Sequence, residues 1–215
     1  RGKDKKYLHY GEIVPLASLD DMVFGAWDVY PANAYESAVE AEVLKAKDIE
    51  PVRDEATEKS RAAMAEAGIT GVPFFKAVEF ADGLEAWECA RLEAQLEKMG
   101  ILDALVVSKE DLAKIKNGFP QFLDTVLCVE QMGKSSFRGL VLNEELDADL
   151  QDAVTLILSN IYESGQNNEG IYLCGDGCFR QGMLMGKADK TGEAEYVGRL
   201  ARKRKKEQML LSLEK

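Results

Sequence analysis

Nucleophilic and metal-binding side chains are scarce in this 215-residue chain, which holds four cysteines (Cys89, Cys128, Cys174 and Cys178) and one histidine, His9. Cys174 and Cys178 have three residues between them, so there is no Cys-x-x-Cys redox pair. With a single histidine the mixed Cys/His zinc sets are closed off as well, and no metal site is expected. Cys128 sits in the apolar run Val126-Leu127-Cys128-Val129 and reads as a buried structural thiol. Gly133-Lys134-Ser135-Ser136 ends like a phosphate loop, but no glycine opens it at the required upstream position. Carboxylates are plentiful, yet most lie beside Lys or Arg on helical faces, as solvated surface does. No acid–base pair stands out, and the catalytic residues stay unassigned.

Charge narrows the partners. The chain carries 27 Lys and Arg against 38 Asp and Glu, a net charge of −11. Arg199, Arg202, Lys203, Arg204, Lys205 and Lys206 crowd into eight positions; without these six, 21 cations face 38 anions, or −17. An acidic body repels phosphates over most of its surface, so nucleic acid is not an expected partner. The basic segment suits an acidic protein surface, its own or a partner's, and peripheral contact with an anionic membrane stays open. No apolar run reaches the ~18 residues that a membrane helix needs. Irregularly placed cysteines argue against a secreted disulfide scaffold, and a soluble protein of a reducing compartment is expected: cytoplasm, or an organelle interior such as plastid or mitochondrial matrix.

The elements that must position these residues follow from periodicity. Helices are expected over 31–44, 52–67 and 84–99, the last two closed by Gly68 and Gly100. Ser108-x-x-Asp111 opens a short helix that stops at Asn117-Gly118. The clearest amphipathic helix runs from Leu146 to Ile161, with Leu150, Val154, Ile157 and Leu158 on its stripe. A turn leading into a short strand-like run is expected at 71–75, and strands at 104–107, 126–129 and 171–174, the last running into the turn Gly175-Asp176-Gly177. A Met-bearing loop around Met183 and Met185 and a charged helix over 193–213 complete the chain. The alternation predicts an α/β (or α+β) fold, a mixed sheet flanked by amphipathic helices and incompletely Rossmann-like. The organisation expected is residues 1–55, an α/β body over 56–198, and the basic C-terminal helix or tail over 199–215.

The first of these segments carries a long ordered match: Pro15-Leu16-Ala17, Leu19-Asp20-Asp21, Val23-Phe24-Gly25, Trp27-Asp28, Asn33-Ala34-Tyr35-Glu36, Val43-Leu44 and Glu50-Pro51-Val52-Arg53-Asp54. It resembles the inositol-3-phosphate synthase family. That resemblance implies an NAD-dependent isomerase that oxidises glucose 6-phosphate transiently, closes the ring by an aldol-type step and reduces the product. It also implies that Gly25, Trp27 and Asp28 form the turn at the edge of the nicotinamide-cofactor site. A glycine at a strand end lets a ligand approach the backbone, and an aspartate there can accept a ribose hydroxyl. However, no G-x-G-x-x-G precedes residue 25, and the likeness stops after Asp54. The expectation is therefore a non-catalytic accessory or interaction subunit without a cofactor, which retains part of a synthase-like ancestor. It would bind another protein chain through the basic tail or through the 146–161 helix. The alternative is an NAD-dependent synthase-type isomerase or a fragment of one.

Overall fold

The computed structural model describes residues 6–9, 12–15, 40–41, 43–135, 137–163 and 170–213. The chain divides into two units, Arg1–Lys47 with Leu210–Lys215, and Asp48–Met209. In the first, β1 (Lys6–His9) and β2 (Glu12–Pro15) pair antiparallel, with His9 opposite Glu12, and residues 43–46 are helical. Gly25, Trp27 and Asp28 lie outside the described residues, as does most of the helix expected over 31–44.

The second unit is an α/β body built on four helices that follow their sequence signals closely. Helix α1 (Glu55–Glu66) starts at Asp54, whose carboxylate accepts from the Thr57 amide at 2.7 Å. Helix α3 (Ala86–Lys98) opens with a reciprocal capping box between Glu85 and Glu88. Helix α4 (Lys109–Lys116) is capped by Ser108, which accepts from the Asp111 amide at 3.1 Å. Helix α5 (Ala148–Leu158) buries Leu150, Val154 and Ile157, as its stripe requires, but is shorter than the expected 146–161: it stops at Leu158, and Ile161 begins a strand instead.

Between α1 and α3 the chain departs from expectation. The run at 71–75 reverses the expected order of turn then strand: β3 (Gly71–Pro73) gives way to a single helical turn, α2 (Phe74–Ala77), and then to β4 (Val78–Phe80). A strand would send Phe74 and Phe75 to opposite faces. The turn buries both rings fully, and their amides donate to Ala104 and Leu102 carbonyls at 2.9 Å.

The expected mixed sheet is divided into small sheets. Strand β5 (Leu105–Val107) pairs antiparallel with β3, and residues 126–129 supply only a parallel bridge from Val126 to Leu105. Strand β4 pairs antiparallel with β6 (Leu140–Leu142). The third sheet holds β7 (Ile161–Tyr162), β8 (Ile171–Leu173), β9 (Cys178–Gln181) and β10 (Leu184–Lys187) in the order β10-β9-β8-β7, with only β7–β8 parallel. The expected Met-bearing loop is thus the tip and outer strand of a hairpin. The last helix, α6 (Arg199–Leu213), begins six residues later than its pattern predicted, because residues 193–198 are held as a loop by α3. A main core joins these layers, shared by Phe74, Phe75, Leu96, Val106, Val154, Ile157, Ile161 and Leu173, and a smaller cluster of Met64, Ile69, Leu105, Val107 and Ile115 lies between α1, α4 and β5.

Candidate functional site

Helices α4 and α5 and the segment 127–130 enclose a groove of about 720 Å³. Its floor is apolar, formed by Leu112, Leu127, Val129, Ala153, Leu156 and Ile157. Its rim is charged: Lys109, Glu110, Lys116, Glu130, Asp149 and Asp152. Lys116 is taken up by Glu130 at 2.5 Å. The carboxylates of Glu110, Asp149 and Asp152 meet no cation among the described residues, which leaves an acidic rim over the apolar floor. Helix α5 therefore has two faces in use, its Leu150–Val154–Ile157 stripe in the core and its Asp149–Asp152–Leu156 side on the groove. Beside the groove Cys128 is exposed, contrary to the buried thiol expected. Leu127 and Val129 turn towards the core, and the two-residue period of extended chain sends Cys128 outward.

The end of the synthase-like segment packs against the body through guanidinium–carboxylate pairs. Arg53 grips Asp103 with Nε and Nη2 at 2.6 and 2.7 Å, and its Nη1 donates to Glu50 at 2.6 Å. Arg61 bridges the same Asp103 and Asp124, the latter at 2.7 Å. The hydrogen bond to Asp103 raises the Arg53 pKa most, with Glu50 adding to it against the opposing effect of burial. Burial pushes the Glu50 carboxyl up, but its contacts with Lys76 and Arg53 outweigh this and hold it below its ordinary value. A cavity of about 310 Å³ lies beside these arginines, but both guanidiniums face carboxylates rather than open space. The matched residues Glu50, Arg53 and Asp54 thus do structural work here.

The basic segment docks on its own body. Arg199 pairs with Glu145 at 2.9 Å, Arg204 with Glu193 at 2.6 Å and Lys205 with Glu195 at 2.6 Å. Arg202 is buried, reaching Asp48 at 3.2 Å and the carbonyls of Tyr196 and Phe75 at 3.0 and 3.3 Å. Its Cζ also lies 5.8 Å from the Phe75 ring centre. The loop entering α6 is fixed by Glu93 of α3, which is fully buried. The Glu93 carboxylate accepts from the amides of Glu195, Tyr196 and Val197 at 2.7, 2.8 and 2.9 Å, and from the Lys190 ammonium at 3.1 Å. Sequence reasoning missed Glu93: its partners stand 97 to 104 residues away, and nothing local distinguishes it from a surface glutamate.

No group of three or more His, Cys, Asp or Glu residues able to hold a metal occurs among the described residues. No helix among them is long and apolar enough to cross a membrane.

Residues 1–99 match an NAD-binding family described as Myo-inositol-1-phosphate synthase. Inositol-3-phosphate synthase 1 of Bacteroides thetaiotaomicron is 59% identical over 44 residues, which is 20% of this chain and 10% of that protein. The chain thus spans only a tenth of the length of that curated relative. Among solved structures, the Pyrococcus furiosus Smc hinge domain with an extended coiled coil aligns over 85% of this chain and 73% of that one. The TM-score is 0.36 at 16% identity, a level that carries no fold information. The N-terminal segment therefore resembles the inositol-phosphate synthase family, as its motifs indicated.

Proposed function

We propose that this chain is a non-catalytic accessory protein that carries a synthase-like segment and binds a basic, amphipathic segment of another protein. The observation that supports this reading is the groove between α4 and α5, with its apolar floor and the three uncompensated carboxylates Glu110, Asp149 and Asp152 on its rim. An occupant with leucine-like side chains and flanking Lys or Arg would remove the floor from water and meet the rim carboxylates Glu110, Asp149 and Asp152. The basic segment of α6 supports the reading from the other side. It is largely engaged with carboxylates of its own unit, so partner capture falls to the groove.

The test is a fluorescence titration of the full chain with helical peptides of alternating Leu and Lys, and with their Leu and Glu counterparts. The basic peptide should bind at ~100 μM or tighter, about 5 kcal/mol, and weaken at least tenfold in Asp149→Lys/Asp152→Lys. Equal affinity for both peptides, or no binding of either, removes the proposal.

The 59%-identical segment favours a second reading, in which the chain contributes the turn Gly25, Trp27 and Asp28 to an NAD-dependent inositol-3-phosphate synthase-type isomerase whose remaining parts come from elsewhere. NAD titrated into the chain should then bind tighter than about 1 mM, or ~4 kcal/mol, and lose affinity in Asp28→Ala.

A further inference from the structure

The hairpin joining β8 to β9 places two cysteines opposite one another. The register pairs Leu173 with Phe179 and continues to Cys174 and Cys178, whose amide and carbonyl bond at 2.9 Å. The Gly177 amide donates back to the Cys174 carbonyl at 3.0 Å, and Gly177 has φ of 89°. This is a three-residue loop closed by a positive-φ glycine, a connection that keeps the residues on either side in antiparallel register. Gly177 cannot be replaced without cost, since a Cβ there would lie 2.2 Å from the Ala188 carbonyl oxygen. Facing residues of such a hydrogen-bonded pair have Cα atoms about 5.5 Å apart, inside the range of about 4.4–6.8 Å that a disulfide spans.

The neck of the hairpin is held from beneath. Gln95 of α3, fully buried, donates its amide to the carbonyls of both Cys174 and Cys178, at 3.0 and 2.7 Å. Arg91 of the same helix donates to the Gly175 carbonyl at 2.6 Å. Both residues are partly open to solvent, and their sulfurs make only weak contacts, Cys178 with Asp176 at 3.2 Å and Cys174 with the Glu163 carbonyl at 3.4 Å.

We propose that Cys174 and Cys178 form a cross-strand dithiol that closes to an intramolecular disulfide by exchange with a low-molecular-weight disulfide. One thiolate attacks a sulfur of R–S–S–R, forming a mixed disulfide and expelling RS⁻, which takes up a proton as RSH. The second thiolate then attacks the protein sulfur of that mixed disulfide and expels the second RSH. Two electrons pass from the pair of protein thiols to the small disulfide, and no other oxidant is required. Burial, with the charges of Asp176 and Glu163, pushes the Cys174 thiol up. The hydrogen bond to Asp176, then burial, pushes the Cys178 thiol up against the opposing Lys187. The pair therefore rests mainly as protonated thiols and exchanges faster as pH rises and thiolate forms.

The test incubates the folded full-length chain with oxidised glutathione, blocks free thiols by alkylation, and maps all four cysteines by peptide mass spectrometry. The expected product is a linked Cys174–Cys178 peptide, lighter by two hydrogens, with Cys89 and Cys128 outside it. Cys174→Ser and Cys178→Ser should each trap a stable glutathione adduct on the remaining partner, because no second thiol resolves it. Persistent adducts on both cysteines of the unmodified chain, or closure only after unfolding in urea, overturn the proposal.

Discussion

Replacing Glu93 by alanine should dislodge the loop that leads into α6. Three backbone amides and one ammonium converge on this carboxylate, and no surface of Glu93 is exposed. The contributions are unequal. Val197 is fully buried, so its amide would be left without a partner or water, at about 1–3 kcal/mol. Glu195 and Tyr196 are half-buried, and their amides regain water, so each loses only the net worth of a hydrogen bond, about 0.5–1.5 kcal/mol. Lys190 is partly exposed and also has Glu195 at 3.6 Å, so its share is small. The sum is about 2–6 kcal/mol, which brackets the ~3–5 kcal/mol cost of removing one partner from a buried ionic contact. Such a loss is a large part of a domain's ~5–15 kcal/mol.

Urea unfolding gives the total, and amide hydrogen exchange at residues 195–197 gives its location. Glu93→Gln keeps the side-chain volume and one strong acceptor, so it should cost about half as much and remain folded if the alanine variant does not. A loss below about 1 kcal/mol in Glu93→Ala, with protection at 195–197 unchanged, would refute the claim that this carboxylate holds the loop.

Arg202→Met should cost about 2–4 kcal/mol, and a double-mutant cycle with Glu93→Gln should show positive coupling, because Arg202 binds the Tyr196 carbonyl in the loop that Glu93 fixes. Leu150→Ala on the core stripe of α5 should cost about 2–5 kcal/mol by thermal or urea unfolding. For Asp111, burial raises the carboxyl pKa, but Lys114, the Thr70 amide and Ser108 outweigh it and hold it below its ordinary value. Its stabilising contribution should thus be complete above about pH 4–5 and fade as pH falls through the folded pKa; Asp111→Asn should flatten that part of the stability–pH curve. Duplex DNA and RNA near 150 mM salt should show no micromolar binding that depends on the basic segment, read by comparing the chain with its Lys/Arg→Gln variant.

What could be read directly was the local physics. The helix start at Ser108 and the stops at Gly68 and Gly100 are set by groups within a few residues, and the stripe of α5 by its own periodicity, whereas α1 begins at its Asp54 cap, three residues later than expected. Strand runs were also found, but not their partners: 104–107, 126–129 and 171–174 go to different sheets, since pairing depends on where distant segments arrive. Phe74 and Phe75 escaped for the same reason, because an apolar pair fits a strand or a turn until the core on one side only chooses the turn. The groove draws its lining from three separated segments, so no single stretch announces it. Cys174 and Cys178 were visible, but a spacing of three residues excludes one redox motif while the hairpin creates another juxtaposition.

The charges of the body and of the tail resolve into two different kinds of contact. Arg199, Arg204 and Lys205 make exposed or half-exposed pairs, each worth at most about 1 kcal/mol and weakened by salt. These contacts lower the free cationic charge of the segment without fixing its position. Position comes from Arg202, the one guanidinium of the group that is buried and bonded to backbone carbonyls. Arginine suits that role because its planar fork can serve a carboxylate and two carbonyls together. With the tail cations largely compensated, the acidic excess of the body is left to act elsewhere. The groove concentrates part of it, because Glu110, Asp149 and Asp152 border an apolar floor that lowers the local dielectric and lengthens the reach of their field. The basic partner proposed for the groove would be selected by the same imbalance that holds α6 in place.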